Sequence, residues 1–404
     1  MEYYIIIAAS LIIILSYLFN VVSSKWNIPS VLLLIVLGIL FRELIGVIGV
    51  EKNTILDVFS QIKILEVLGT LGLILIVLEA ALELKLEQGK LPLIMRSFVI
   101  ALLGLLVGIF GIGGIFFYAF EMEWMIALLY ATPLSILSSA IVIPSVANLN
   151  EHDEEFHIYE STFSDILGIM AFYFIIQFAA PVNKVLVLGD FSVNLIITIA
   201  TSILLSYLLI YIFQNLETKV KLFLMIAVLF LLFSVGKLMH LSSLLVILIF
   251  GLVLNNHKLF FTGRLRKYVK PIAIENIYET FLMITIESAF VIRTFFFVIF
   301  GFSISLTTLI DVNVAMVSVG VLLLIYVSRY LIFFPFKQEN IKRAVSIAPR
   351  GLITLLLFYS IPAELQSTQF KSGILLFVII ITSIIMTSGL MSAKEVEPSN
   401  DVEQ

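Results

Sequence analysis

Cysteine is absent from all 404 residues, which excludes disulfides and thiolate metal sites. Charge is sparse as well. Only 13% of residues are Asp, Glu, Lys or Arg, about half of the roughly 25% usual in soluble domains. No HExxH motif occurs, so the sequence offers no zinc-hydrolase signature. No basic segment precedes the first apolar run either: in "MEYYIIIAASLIIILSYLFN" only Glu2 stands ahead of it. A cleaved leader needs such a segment, so this run reads as a first transmembrane helix that is retained. Hydrophobic residues fill the room that charge leaves, at 61% of the chain and a mean hydropathy of +1.15. That balance argues against a soluble chain with an oversized core. The expectation is an all-α polytopic membrane protein.

A membrane span takes about 20 mostly apolar residues. Thirteen such runs are expected, near 3–20, 29–41, 64–84, 92–118, 124–148, 157–180, 191–213, 219–237, 241–255, 276–303, 312–334, 341–361 and 372–392. The second and ninth are short, and the long tenth is expected to begin as a surface helix. Of the 24 Lys and Arg residues, fifteen fall on one side of this arrangement and six on the other, with Arg293, Arg329 and Arg350 inside spans. The positive-inside rule then places the N-terminus outside and the C-terminus in the cytoplasm. The acidic tail over 394–404 reads as short and disordered.

Two spans are interrupted. The fifth, "WMIALLYATPLSILSSAIVIPSVANL", carries Pro133, Pro144 and four serines, and the twelfth, "AVSIAPRGLITLLLFYSIP", is broken at "APRG". Breaks seven helices apart fit two inverted halves of six helices, about 3–180 and 219–392, joined by a linker helix at about 191–213. Corresponding broken helices point to a transport site at mid-membrane.

Few polar groups lie where such a site could use them. Glu79 lies near one end of span three, in "LGLILIVLEAALEL". Glu160 and Asp165 lie on span six. Asp57, Asp153, Asp190, Asp311 and Asp401 read as loop or terminal residues, leaving Asp165 as the deep aspartate. On a helix Glu160 and Ser164 share a face, with Ser161, Asp165 and Gly168 on the adjoining strip. Such a stripe must face protein or a water cavity. Arg329, in "IYVSRYLIFF", is the expected counter-ion of Glu160, since an unpaired arginine at that depth is very costly. Asp165 has no comparable partner. It can hold a proton or, once deprotonated, bind a cation, and it cannot do both at once. Ser135, Ser138 and Ser139 at the span-five break could complete an oxygen shell. Arg350 at the span-twelve break could offset the negative ends of half-helices. The stretch "NLNEHDEEFH" reads as an acidic loop at the cytoplasmic mouth, with His152 and His157 in it; a merely solvated loop is the alternative. Glu287 and Arg293 read as a local pair or as interfacial anchors.

The stretches "LGLILIVLEAALEL", "YESTFSDILG", "FFFVIFGFSISL", "YVSRYL" and "APRGLITLLL" resemble, in order and spacing, the monovalent cation/proton antiporter superfamily, and within it the electroneutral sodium/proton exchanger branch. The resemblance covers essentially the whole chain. It implies a thirteen-helix inverted-repeat fold with crossed, broken fifth and twelfth helices, and a core moving against a dimerising scaffold. It also implies Asp165 as the ion-binding aspartate, Glu160 and Arg329 as the structural pair, and counterparts at Glu79 and Arg350. Two positions depart from the pattern. The family's asparagine on helix six is Ser164, and its threonine–aspartate pair at the helix-five break is Leu137 and Ser138. That break therefore has no acid, which widens the expected cargo from sodium to potassium or lithium.

The expected function is exchange of a monovalent cation for a proton by alternating access, electroneutral at one for one. Asp165, Ser164, Ser138 and Ser135 are the expected ion-binding set, with Glu79, Arg350 and Ser161 as accessory or gating residues. A sodium-coupled carrier of an organic solute, or a membrane sensor or channel-like effector, remains the alternative. The expected setting is a homodimer in a cell membrane, with the lipid bilayer, cations and protons as partners and neither cofactor nor nucleic acid. Enzymatic activity is not expected, because an intramembrane aspartyl protease would need a second deep aspartate.

Overall fold

Lipid cannot hydrogen-bond exposed peptide groups, so long apolar runs must satisfy their own N–H and C=O groups as helices. A computed structural model describes residues 2–26, 30–47, 64–86, 88–179, 184–215, 221–238, 243–262, 270–303, 311–336 and 340–394. Among them every regular element is helical, and the protein is an all-α multi-pass membrane protein. In chain order come α1 (Glu2–Trp26), α2 (Ser30–Val47), α3 (Ile64–Glu83), α4 (Leu91–Phe120), α5 (Trp124–Ser135) and α6 (Ser139–Val146). Next are α7 (Glu151–Ala179), α8 (Lys184–Gln214), α9 (Lys221–Leu238), α10 (Ser243–Asn255) and the single turn α11 (His257–Phe260). The last are α12 (Pro271–Ser303), α13 (Val312–Phe333), α14 (Ile341–Ser346), α15 (Leu352–Tyr359) and α16 (Gly373–Lys394).

Each expected span coincides with one helix or, at the fifth and twelfth, with a broken pair: α5 with α6, and α14 with α15. Eight helical stretches are long and apolar enough to cross a membrane by length and composition, and two shorter apolar helices, Phe223–Gly236 and Ser243–Asn255, add to them. The expected tail beyond Lys394 lies outside the described residues, as do His240, Asp57 and several cations counted for orientation, Arg264, Arg266 and Lys267 among them.

Two expectations need correction. The stretch read as an acidic loop before span six is the first turns of α7, which starts at Glu151. The Asn150 side chain accepts the Asp153 amide at 2.9 Å, and Glu151, Asp153 and Glu154 lie against the positive end of the helix. Arg343 of α14 then pairs with Asp153. The tenth span does not split into a surface helix and a crossing one; it is the single helix α12 of 33 residues.

The residues group into two units. One takes Met1–Glu66, Ser97–Gly168 and Thr294–Gln404; the other takes Val67–Arg96 and Ile169–Arg293. In the first, small residues let helices touch backbone to backbone. A Cβ on Gly38 of α2 would meet the Val298 carbonyl of α12 at 2.2 Å, and one on Gly301 would meet the Ile35 carbonyl at 2.3 Å. Ser16 Oγ and Thr294 Oγ1 are hydrogen-bonded at 2.6 Å beside that seam. α13, α14 and α16 pack together, as do α5 and α15.

The second unit packs α10 against α8 and α9. Asn256, just past α10, ties the end of α3. Its Nδ2 donates to Leu84 O at 2.8 Å, and its Oδ1 accepts from Leu86 N at 2.6 Å. Tyr278 of α12 donates to Leu82 O at 3.0 Å.

The α2–α12 seam makes a clean test. Gly38→Ala must push backbone, and overpacking of this kind costs about 1–3 kcal/mol or more. At Gly114 a Cβ meets nothing within 4 Å, and alanine there gains helix propensity. Thermal unfolding of the detergent-purified protein should show a clear loss for Gly38→Ala and none for Gly114→Ala. Equal shifts would contradict the packing described.

Candidate functional site

Pro133 lies in α5 and removes one helical hydrogen bond there. Past Ser135 the chain turns extended, with Ile136 at φ −79°, ψ 132° and Ser138 at φ −82°, ψ 108°. Pro349 likewise lies in the break between α14 and α15. Both breaks strand peptide groups in the interior, and each such group costs free energy unless paired.

Three successive amides of the first break find three different acceptors. Leu137 N donates to Ser164 Oγ at 2.9 Å. Ser138 N donates to Pro349 O at 3.0 Å, so the two breaks touch. Ser139 N donates to Asp165 Oδ2 at 3.3 Å. Two acceptors thus come from α7 and one from the other interrupted span. Carbonyls are met from the second break. Arg350 Nε donates to Leu134 O at 2.6 Å, near the negative end of α5, and Nη1 donates to Ala348 O at 3.1 Å. Thr382 of α16 accepts Arg350 N at 3.1 Å. One buried guanidinium therefore serves carbonyls of both interrupted spans.

α7 carries two carboxylates with different surroundings. Glu160 receives Arg329 Nη1 at 2.7 Å on Oε1 and Nη2 at 3.2 Å on Oε2. Arg329 also donates to Ala344 O at 3.0 Å and stacks over Phe333, 4.9 Å from the ring centre. His157 Nδ1 lies 3.0 Å from Glu160 Oε2, the distance of an Nδ1–H donating to the carboxylate. Asp165 is 2% exposed; Ser139 holds it through the amide on Oδ2, and Oδ1 is buried without a hydrogen-bond partner. The Ser138 hydroxyl, 1% exposed, has none either.

The remaining expected residues sort as follows. Ser135 Oγ donates to Ala131 O at 2.9 Å, and Ser161 Oγ to His157 O at 2.8 Å, so both hydroxyls spend their proton on their own helix. Glu79 belongs to the second unit, where Arg293 Nη2 lies 3.4 Å from its Oε1. That corrects the reading of Arg293 as a local partner of Glu287. His157, read as a loop residue, is buried inside α7. His157 missed recognition although its spacing of three from Glu160 marks a shared helix face; the Ser139 amide has no signature in sequence.

A cavity of about 30 Å³ lies beside α7, lined by Glu160, Ser164, Ser135, Ser328, Arg329 and Arg350 among others. By the usual ~10–15 Å³ per water it has room for one or two. Among the described residues no cluster of three or more His, Asp or Glu side chains could hold a multivalent metal. The chemistry available is that of one carboxylate with a free oxygen, bonded to a break that also carries a buried, unpartnered hydroxyl, where two broken helices meet. This site can take up a proton or a small cation.

The model of a family described as "Sodium/hydrogen exchanger, transmembrane" matches residues 8–392. Among solved structures, the sodium/proton antiporter MjNhaP1 from Methanocaldococcus jannaschii at pH 8 superposes with a TM-score of 0.71 at 20% identity, over 97% of this chain and 96% of that one. An electron-microscopy structure of the same antiporter gives 0.66 at 18% identity over 100% of both chains. These likenesses show the fold. No curated protein matches the chain by sequence.

Breaking the Glu160–Arg329 pair tests its structural weight. Glu160→Gln leaves a largely buried guanidinium short of a counter-charge, at a cost of about 3–5 kcal/mol. The Glu160→Gln/Arg329→Gln double variant should recover part of that loss in a thermal-unfolding cycle. Strict additivity of the two single changes would contradict the coupling.

Proposed function

The chain belongs to the sodium/hydrogen exchanger family, and from that premise we propose that it exchanges one monovalent cation for one proton at Asp165. The observation that carries this reading is the unpartnered Oδ1 of a carboxyl buried where two broken helices touch. A cation bound there needs oxygens, and Ser138 Oγ is the nearest candidate in kind: buried, unpartnered and one residue from the amide that holds Oδ2. Ser164 positions the break through Leu137 N and keeps its own proton to give. Ser135 completes the oxygen set with lone pairs alone. Proton and cation compete for one carboxyl, so alternating exposure of Asp165 to the two sides couples their fluxes without net charge movement.

Glu160 and Arg329 hold α7 against α13 and α14 in this account. Arg350 holds the half-helix ends, while Ser161 and Glu79 are accessory. With Ser138 where an acid would add a second negative charge, the site suits weakly discriminating capture of sodium, potassium or lithium. We place the inverted repeats at about 3–180 and 219–392, with the linker helix between them and the tail in the cytoplasm. The working unit is a homodimer in the cell membrane, N-terminus outside.

In proteoliposomes carrying an internal pH dye, sodium, potassium or lithium pulses should drive proton movement in wild type and none in Asp165→Asn, with both proteins equally folded. A voltage dye should register no potential during exchange. Wild-type rates in Asp165→Asn would end the proposal, and a cation-driven potential would end its one-for-one form.

A further inference from the structure

We propose that Gly351 is a positioning residue that keeps the Ser138 hydroxyl turned toward the ion, and so sets the affinity for the cation. This rests on the reading of Asp165 and Ser138 as the exchange site. A Cβ built on Gly351 would lie 2.6 Å from Ser138 Oγ, 2.7 Å from Ile141 Cδ1 and 3.0 Å from Ser138 Cβ. Ser138 Oγ is buried and makes no hydrogen bond. No bond therefore resists its rotation; the space left by the missing side chain at 351 is what leaves it free to point where it does.

The atoms met decide which kind of glycine this is. At Gly38 and Gly301 the obstacle is a main-chain carbonyl, which cannot give way without moving a helix. At Gly108 a Cβ meets Ser135 Oγ at 2.8 Å, and that hydroxyl is tied to Ala131 O. At Gly351 the two nearest atoms are the free ends of side chains: a hydroxyl that can turn and a methyl that can swing. A methyl group at 351 is thus accommodated by displacing the hydroxyl while the fold stays. The break-to-break bond from Ser138 N to Pro349 O fixes the two backbones at this approach, so the displacement cannot be relieved by sliding them apart.

The test uses Gly351→Ala, Ser138→Gly and their combination, reconstituted and assayed for exchange against cation concentration. Ser138 is the N-cap of α6 and makes no capping hydrogen bond, and glycine is well tolerated at that position. Gly351→Ala should raise the KM for the cation about tenfold, as for the loss of one oxygen contact to a charge, with the maximal rate within about twofold. Ser138→Gly should raise KM by a similar factor. The combination should match Ser138→Gly alone, since no hydroxyl is left to displace. An unchanged KM in Gly351→Ala overturns the proposal, and so does a combination whose effects multiply. Should Gly351→Ala fail to fold, a folded combination with the KM of Ser138→Gly still places the clash on the Ser138 side chain. Failure of both to fold makes Gly351 a packing residue and overturns the assignment. If Asp165→Asn continues to exchange, the reading of the site itself fails; if it is inactive and Gly351→Ala is unaffected, only this inference does.

Discussion

Breaking a helix inside a bilayer strands peptide groups where no water can reach them. Everything distinctive about this molecule follows from how the stranded groups are met. Amides at 137, 138 and 139 would each be a liability if orphaned. Instead they bond to Ser164, Pro349 and Asp165, which stitches the first break to α7 and to the second break. Stranded carbonyls are met by Arg350. The same bonds that make the breaks tolerable bring a carboxyl, a hydroxyl and a guanidinium to one crossing. Structural need and chemical opportunity share the same atoms.

The two carboxylates of α7 differ in their surroundings. Glu160 is saturated, by a bidentate arginine and by His157. Arg329 is in turn fixed by Ala344 O and the Phe333 ring. Removing either partner of such a pair leaves the other uncompensated. Asp165, five residues further on, is held by Ser139 at one oxygen and has no hydrogen-bond partner on the other. In the proposed function this is the group that trades a proton for a cation, while its saturated neighbour holds the helix that carries it.

Much of this was legible in sequence, for reasons that can be named. The helix count followed from runs whose length the bilayer imposes. The Glu160–Arg329 pair followed from the high cost of leaving an arginine alone in lipid. Arg293 reads in sequence as a local partner of Glu287 or as an interfacial anchor, but six residues at about 100° each put the two on different sides of the helix; its partner Glu79 lies on α3. The start of α7 was missed although Asn150 followed by acids is a helix-start pattern, because the charge density of "NLNEHDEEFH" looked like a loop. With that start misplaced, His157 reads as the end of a loop, at the first residue of the expected span, and not as a residue within the helix facing Glu160. The amides at 137–139 could not be read at all, because every residue has one and only the fold decides which are stranded.

The central claim is that one carboxyl trades a proton for a cation. Calorimetry of cation binding to the purified protein, repeated in buffers of different ionisation enthalpy, counts the protons released per cation bound. The account requires close to one proton in the wild-type protein, with none in Asp165→Asn. Cation binding that releases no proton, or a release that survives in Asp165→Asn, would contradict it.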